Sequence, residues 1–231
     1  MNILVVGGGG REHAIAYSLS KSPLTKKLVV APGNPGIEIF AECSPIAADD
    51  IDGQCKLAKD MKADIVFIGP ETPLVLGLKD KLSDLGIRAF GPSQKAAQLE
   101  GSKTFSRKFC KRHNIPQPHF EYCSDLETAK KQIELLKGYC VVKADGLAAG
   151  KGVVVCDTIE EAINASSQML EENIFGDAGK SILIEERITG IEASVFAVSD
   201  GDNVVVIGNA QDHKRAYDND IGPNTGGMGA Y

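Results

Sequence analysis

The sequence contains no tryptophan, only 6% aromatic residues and no excess of positive charge. Its formal net charge of −6 at pH 7 argues against a general nucleic-acid-binding or membrane-binding surface, while small phosphorylated ligands stay compatible with it. No apolar run approaches the ~20 residues that a membrane-spanning helix needs. No signal peptide precedes the first apolar run, Asn2–Val6, so we expect a cytoplasmic protein with neither nucleic-acid nor membrane partners.

The six cysteines form no C-x-x-C pair, which leaves zinc-binding and thioredoxin-like functions without support. They are Cys43, Cys55, Cys110, Cys123, Cys140 and Cys156. In a reducing cytosol we expect these thiols to be free and mostly buried. A catalytic cysteine is the less favoured alternative.

The first half of the chain alternates short apolar runs with helical patterns, which predicts a parallel sheet with helices on both faces. The predicted strands are Ile3–Val6, Lys27–Ala31, Ile46–Ala48, Asp64–Ile68 and Ile87–Phe90, and the predicted helices are Glu12–Ser20, Gln54–Met61, Leu74–Leu85 and Gln94–His113. Most of the loops that follow these strands contain glycine or proline. Such loops lie at the carboxyl ends of the strands, where ligands bind in open α/β sheets.

The second half changes character after a predicted hinge at Asn114–Pro118. It predicts an α+β arrangement with antiparallel strands. The predicted strands are Tyr139–Lys143, Val153–Cys156, Ser181–Glu185, Ala193–Val198 and Val204–Gly208, and the predicted helices are Leu126–Leu136 and Ile159–Leu170.

The N-terminal glycine loop, Gly7–Gly10, lies between a predicted strand and a predicted helix, so its backbone N–H groups could hold a phosphate. A dinucleotide site is not favoured, because Glu12 stands where the fingerprint needs a third glycine and the second strand ends without an acidic residue. Two alternatives remain about equal: a single phosphate assisted by Arg11, or a tight turn without a ligand.

The segment Lys143–Gly152 is a second glycine-rich loop, and it differs from a Walker A motif in spacing and in the strand that follows it. A glycine hairpin carrying Lys151 could close over the phosphates of a nucleotide. Lys143 lies within a strand between apolar neighbours, which favours an anionic ligand over a solvated side chain.

Three other features are common surface patterns when taken alone. The strand that contains Glu185 runs into a linker through Ile188, Glu192 follows it, and Lys103 lies in a helical pattern. A linker of this kind can offer backbone groups to adenine, and a carboxylate can hold ribose hydroxyls. The tail, Gln211–Tyr231, places several charged residues beside a glycine-rich run, as binding sites often do.

The motifs follow one another in a specific order. They are Gly-Gly-Arg-Glu-His at Gly9–His13, Ala-Pro-Gly-Asn-Pro-Gly at Ala31–Gly36, Gly-Pro-Glu-Thr-Pro-Leu at Gly69–Leu74, Gly-Pro-Ser at Gly91–Ser93, Gly-Ser-Lys at Gly101–Lys103, the Lys143–Gly152 loop, Ile-Glu-Glu at Ile184–Glu186, and Gln-Asp-His-Lys with Gly-Pro-Asn-Thr-Gly-Gly-Met-Gly in the tail. With these motifs the whole chain resembles the phosphoribosylamine–glycine ligase family of the ATP-grasp superfamily.

The resemblance implies an α/β protein with a Rossmann-like (pre-ATP-grasp) N-terminal domain, 1–101, followed by a truncated α+β ATP-grasp domain, 102–231. That second domain would contain a lid at about 119–188 and would be incomplete at its C-terminus. The chain would then be a fragment or one product of a split gene, and a second chain supplying the C-terminal half is an implied partner.

The implied activity is an ATP-dependent ligation in purine biosynthesis. ATP would phosphorylate the carboxylate of glycine, and the amine of 5-phosphoribosylamine would attack the glycyl phosphate, giving glycinamide ribonucleotide, ADP and phosphate. The alternatives are a non-catalytic nucleotide-binding or phosphoribosyl-binding fragment, and another ATP-grasp ligase of purine synthesis that uses bicarbonate.

The resemblance also implies site residues, with the catalytic residues left unassigned. ATP would contact Lys103, Lys143, Gly146, Gly150, Lys151, Gly152, Glu185, Glu186, Ile188 and Glu192, and the substrates would contact Gly9, Gly10, Arg11, Asp212, Lys214, Asn224 and Thr225. Mg²⁺ or Mn²⁺ would be bound by residues in the C-terminal part of the family's proteins, and no metal ligand is expected in this chain.

Overall fold

A computed structural model describes residues 1–146, 152–219 and 221–231 of the chain. The chain divides into two compact units, Met1–Phe109 and Cys110–Tyr231, and each unit has its own hydrophobic core. No helix within the described ranges is both long and apolar enough to cross a membrane.

The first unit is built on a five-stranded parallel sheet in the order β3-β2-β1-β4-β5. The strands are β1 (Asn2–Gly7), β2 (Lys27–Pro32), β3 (Glu42–Cys43), β4 (Ile65–Ile68) and β5 (Arg88–Phe90). Alternate residues of β1 enter opposite cores, since Ile3 and Val5 pack on one face while Leu4 and Val6 pack on the other. Helices cover both faces, which confirms the predicted doubly wound α/β arrangement.

The third predicted strand, Ile46–Ala48, is wrong, because the strand beside β2 is Glu42–Cys43. The segment does not pair with the sheet because its backbone bonds to a buried side chain. The side-chain amide of Gln54, a residue of the following helix, donates to the backbone carbonyls of Ile46 and Ala47, at 3.3 and 3.0 Å.

Two of the helices that the sequence pattern predicts in the first unit are each divided in the structure. The helices of this unit are α1 (Gly10–Ser20), α2 (Ile51–Asp60), α3 (Glu71–Val75), α4 (Leu78–Asp84), α5 (Gln94–Gly101) and α6 (Lys103–Arg112). The predicted helix Leu74–Leu85 breaks at Gly77, whose φ of 87° is left-handed. The predicted helix Gln94–His113 breaks at Ser102, which is extended and accepts a hydrogen bond from the N–H of Phe105 as a cap of α6.

The second unit contains a four-stranded antiparallel sheet in the order β6-β9-β7-β8. Its strands are β6 (Phe120–Cys123), β7 (Cys140–Ala144), β8 (Val153–Cys156) and β9 (Ile182–Glu186), and its helices are α7 (Leu126–Leu135) and α8 (Ile159–Leu170). Both helices pack on one face, against Cys140, Val142, Ala144 and their neighbours. This arrangement confirms the predicted α+β character.

Two antiparallel hairpins complete the second unit. The first joins β10 (Ser194–Ser199) to β11 (Val204–Ala210), and the second joins β12 (Arg215–Tyr217) to β13 (Ile221–Asn224). The turn of the first hairpin is fixed by Asp200, whose carboxylate accepts the N–H groups of Asp202 and Asn203.

Candidate functional site

Lys143 and Glu185 form an ion pair on the face of the four-stranded sheet opposite the helices. Lys143 pairs in register with Leu183 on β9, which places Glu185, two residues further along β9, diagonally across from it on the same face. The ammonium Nζ lies 2.6 Å from the carboxylate Oε2. Glu185 is only 1% exposed, and the Lys143 side chain is 22% exposed.

This ion pair is a candidate ligand site, because stability alone does not explain why two charges are buried here. The free energy needed to remove both charges from water offsets most of their mutual attraction. A buried pair therefore adds little stability over apolar side chains of the same size. The ammonium has three N–H donors, and the bond to Glu185 uses one of them. A partly exposed ammonium held by a buried carboxylate is suited to contact a phosphate oxygen.

The glycine loop that follows β7 is anchored at both ends within the described residues. Gly146 packs closely against a 3₁₀ turn, since a Cβ added to it would lie 2.9 Å from the Cα of Ala178. At the other end, the carbonyl of Gly152 accepts the N–H of Ala144 at 2.8 Å. Gly150 and Lys151 lie outside the described residues.

The end of β9 is tied to the segment before β6. The N–H of Glu186 donates to the carbonyl of His119 at 2.8 Å, and the Glu186 carboxylate accepts the N–H of His119 at 3.3 Å. Ile188 is exposed. The predicted contacts of Glu186 and Ile188 with adenine stay predictions.

Arg187 is not among the predicted site residues, but it contacts three residues beside the candidate site. It forms an ion pair with Asp157, donates to the carbonyl of Cys156, and lies over the ring of Tyr139 with its guanidinium carbon 4.5 Å from the centroid. It therefore joins the end of β9 to the end of β8. Only its place next to the two glutamates signalled it in the sequence.

The tail folds back on itself around Lys214. The N–H and the hydroxyl of Thr225 both donate to the carbonyl of Lys214, at 2.7 and 2.9 Å. The Lys214 ammonium lies 2.6 Å from Glu192, so a predicted substrate-binding residue and a predicted ribose-binding residue are neighbours. Asp212 faces Gly227, where an added Cβ would lie 3.0 Å from its Oδ1. The side chain of Asn224 lies outside what the structure describes.

The N-terminal glycine loop of the first unit surrounds a buried carboxylate. Glu12, 4% exposed, accepts the N–H of Gly9 at 2.8 Å and the Nε of Arg11 at 2.9 Å. The amide of Gly9 therefore already has a protein acceptor. Glu12 breaks the glycine fingerprint in the sequence, and as a glutamate at the third helical position it is also a helix-capping signal.

Arg11 is held between two carboxylates. Its Nη1 donates to Glu71 at 3.1 Å, in addition to the bond with Glu12. Burial lowers the pKa of Arg11, but the hydrogen bonds to the two carboxylates outweigh it and leave the pKa above its ordinary value. Burial raises the pKa of Glu71, and its own backbone N–H together with Arg11 brings that pKa below its ordinary value. Arg11 is thus a fixed cation at this loop.

This loop lies at the carboxyl end of β1, between β2 and β4. The strands that follow β1 in the chain, β2 and β3, lie on one side of it, and the later strands β4 and β5 lie on the other side. The strand order therefore reverses at β1, and doubly wound sheets bind ligands at this topological switch point. Asn34, which follows β2, closes the loop by donating to the carbonyl of Gly8 at 3.0 Å.

The close approach at Gly8 gives a testable prediction. A Cβ at Gly8 would lie 2.5 Å from the backbone oxygen of Gly33, whereas one at Gly10 would meet nothing within 4 Å. We expect Gly8→Ala to lower the free energy of unfolding of the first unit by about 1–3 kcal/mol, because backbone must move. Gly10→Ala, the matched control, should change it by less than ~0.5 kcal/mol. Urea unfolding measures both, and equal stabilities would contradict the described loop.

The described residues place no three His, Cys, Asp or Glu side chains together in a way that could hold a metal ion. They therefore offer no such ligand set for the predicted Mg²⁺ or Mn²⁺.

Sequence profiles of one protein family match the whole chain. The profile described as "Phosphoribosylglycinamide synthetase, N domain" matches residues 1–100, and "Phosphoribosylglycinamide synthetase, ATP-grasp (A) domain" matches residues 101–231. Among curated relatives, phosphoribosylamine–glycine ligase of Caulobacter vibrioides is 52% identical over 231 residues, and that of Yersinia pestis is 49% identical over 233 residues. Each comparison covers 100% of this chain and 54% of the relative, so the chain spans about half their length.

Solved structures agree with the sequence comparison. Phosphoribosylamine–glycine ligase from Thermotoga maritima is 33% identical with a TM-score of 0.81, over 100% of this chain and 55% of that one. A biotin carboxylase–β,γ-ATP complex from Campylobacter jejuni has a TM-score of 0.74 over 93% of this chain and 51% of that one. At 18% identity this second likeness concerns the fold alone.

Proposed function

The chain belongs to the phosphoribosylglycinamide synthetase family, and on that premise we propose that it takes part in the ATP-dependent joining of glycine to 5-phosphoribosylamine. The reaction passes through glycyl phosphate and gives glycinamide ribonucleotide, ADP and phosphate, as a step of cytoplasmic purine biosynthesis. The single observation that carries the proposal is the Lys143–Glu185 pair in the matched ATP-grasp domain.

The chemistry explains why such a pair is needed. A carboxylate is a poor electrophile until one of its oxygens becomes a leaving group, and transfer of the terminal phosphoryl group of ATP to glycine provides it. Negative charge accumulates on the transferred group, and fixed cations stabilise it. In our proposal Lys143 contacts a phosphate of ATP, and Glu185 holds the ammonium in place.

The remaining ATP contacts are assigned on family grounds. We propose that residues 119–188 form a lid, supported by the sheet of β6 to β9, which spans this range. Lys103, Gly146, Gly150, Lys151 and Gly152 would contact phosphates, Glu186 and Ile188 would border adenine, and Glu192 would hold ribose. A divalent ion, Mg²⁺ or Mn²⁺, would supply further positive charge from ligands outside the described residues.

The substrate contacts belong to two separate groups of residues. Gly9, Gly10 and Arg11 would bind the phosphoribosylamine side, supported by the fixed positive charge of Arg11 at the switch point. Asp212, Lys214, Asn224 and Thr225 would bind ribose, phosphate and glycine, supported by the way Thr225 holds the Lys214 backbone.

We also propose that further polypeptide completes the second unit, either as a longer chain of the family type or as a second chain. The hairpin of β10 and β11 supports this. Val204, Val205, Val206 and Ile207 are each 61–68% exposed, so both faces of β11 are apolar and uncovered. An exposed apolar sheet of this kind is typical of an interface.

The test is ADP formation by the native, assembled protein with ATP and Mg²⁺. We expect ADP only when glycine and 5-phosphoribosylamine are both present. ADP that depends on bicarbonate and an aminoimidazole ribonucleotide would support another ATP-grasp ligase. Nucleotide binding without any ADP would support the binding-only alternative and contradict the proposal.

A further inference from the structure

Two buried cysteines face each other across neighbouring strands. Cys140 on β7 is the direct register partner of Cys156 on β8, and both side chains are fully buried in the same core beneath α7 and α8. Both are free thiols. Directly opposite residues of an antiparallel pair have Cα atoms about 4.5–5.5 Å apart, which lies within the range that a disulfide spans, about 4.4–6.8 Å.

Each of the two thiols shifts the pKa of the other. The neighbouring thiol of Cys156 lowers the pKa of Cys140 against the opposing effect of burial. The neighbouring Cys140 raises the pKa of Cys156, and burial raises it further. The Cys156 thiol itself donates to the carbonyl of Val154 at 3.7 Å. Cys140 is therefore the thiol that ionises first and is the better nucleophile of the two.

We propose that Cys140 and Cys156 form an oxidisable dithiol site that reacts with a small, uncharged hydroperoxide and closes into a disulfide between β7 and β8. The Cys140 thiolate attacks one peroxide oxygen, the O–O bond breaks, and the departing hydroxide takes a proton to become water. The Cys156 sulfur then attacks the sulfur of the Cys140 sulfenic acid, the S–O bond breaks, and a second water leaves. Two thiols and one H₂O₂ give one disulfide and two waters.

Geometry separates this pair from Cys123, the third cysteine of the same core. Cys123 is buried in the same core, but its register partner on β9 is Ile182, and burial raises its pKa to about 12. It is therefore a poor nucleophile. The dithiol site lies between the inner strand β7 and the edge strand β8, and local opening of an edge strand admits a molecule as small as H₂O₂.

The disulfide would be reversible and would act on a strand of the candidate nucleotide site. Opposite Cβ atoms in a sheet are about 4.5–5.5 Å apart, and a relaxed disulfide spans about 3.5–4.5 Å, so this bond would form at the long end of its range. Disulfides away from their relaxed geometry are the ones most readily reduced. Lys143 lies on the same strand, three residues beyond Cys140, so the bond would fix the strand that carries this lysine.

The experiment uses the native chain treated with H₂O₂, then unfolded, alkylated and digested with trypsin. The number of alkylated cysteines should fall from six to four, since two thiols enter the bond. Cleavage after Lys137, Lys143, Lys151 and Lys180 isolates Cys140 and Cys156 in two peptides with no other cysteine. We expect these two peptides to be linked, and dithiothreitol to release them.

Three results would overturn the proposal: six alkylated cysteines after peroxide, a link to another cysteine, or a link that forms only after urea unfolding. Cys123→Ser is the matched control and should keep the link. Cys156→Ser should lose it, and dimedone, which labels sulfenic acids, should then mark Cys140. The peptide map of the unaltered chain decides the question even if a variant fails to fold.

Discussion

Replacing Lys143 by methionine is expected to weaken ATP binding by about 10- to 100-fold, because hydrogen bonds to charged groups contribute about 1.5–3 kcal/mol. Methionine keeps most of the side-chain volume and removes only the ammonium. Isothermal titration with ATP measures the change. The matched control is Lys180→Met, since Lys180 is exposed and pairs with Asp177 on the 3₁₀ turn. Unchanged ATP affinity in Lys143→Met would remove Lys143 from the nucleotide site.

Loss of binding must be separated from loss of folding. Lys143→Met leaves the carboxylate of Glu185 buried without its ammonium, and breaking a buried pair in this way costs about 3–5 kcal/mol. Glu185→Met should cost less, because the Lys143 ammonium that it leaves behind is 22% exposed and can reach water. The double variant Lys143→Met/Glu185→Met replaces the pair by apolar side chains and should recover most of the stability.

The double variant therefore separates a role of the pair in ATP binding from a role in folding. We expect it to fold and still to bind ATP as weakly as Lys143→Met does, because the ammonium is absent. A double variant that recovers ATP binding together with stability would show that the pair only supports the fold. Urea unfolding and ATP titration on the same preparations distinguish these results.

The second large effect concerns the hairpin of β10 and β11. We expect the isolated chain to self-associate at micromolar concentrations and to bind an apolar dye, because β11 exposes branched aliphatic residues on both faces. Val204→Lys with Val206→Lys places two charges on one face of β11, and this variant should be monomeric in sedimentation experiments. The same lysines should also prevent any completing polypeptide from docking.

The matched control is a single exposed apolar residue elsewhere in the second unit. Leu135 on α7 is 76% exposed, and lone exposed leucines are ordinary on protein surfaces. Leu135→Lys should therefore leave the association unchanged. An unaltered chain that is monomeric and binds no dye would contradict the inference that the hairpin is an uncovered interface.

Much of the fold follows from local patterns in the sequence. The buried strands β1, β2 and β4 read as apolar runs, and the alternation with helices predicts their parallel order. The errors arose where a distant or single residue decides the structure. A side-chain amide of Gln54 holds the segment at Ile46, and the left-handed Gly77 divides a helix that hydrophobic periodicity makes continuous.

The candidate site was less predictable, because its geometry depends on pairing across strands. The sequence marks Lys143 as unusual within its strand, but its partner lies 42 positions away and is found only through the β7–β9 register. The same holds for Lys214 with Glu192 and for Cys140 with Cys156. Local patterns identify candidate residues, and tertiary contacts decide which of them meet.

In the proposed reaction, ATP activates the carboxylate of glycine as glycyl phosphate. The most direct test supplies the native, assembled protein with ATP, 5-phosphoribosylamine formed in place, and glycine labelled with ¹⁸O in its carboxylate. The released phosphate is then analysed by mass spectrometry. The account predicts one ¹⁸O atom in each phosphate formed, because the glycine oxygen leaves with the phosphoryl group. Unlabelled phosphate from a reaction that makes the amide product would contradict it.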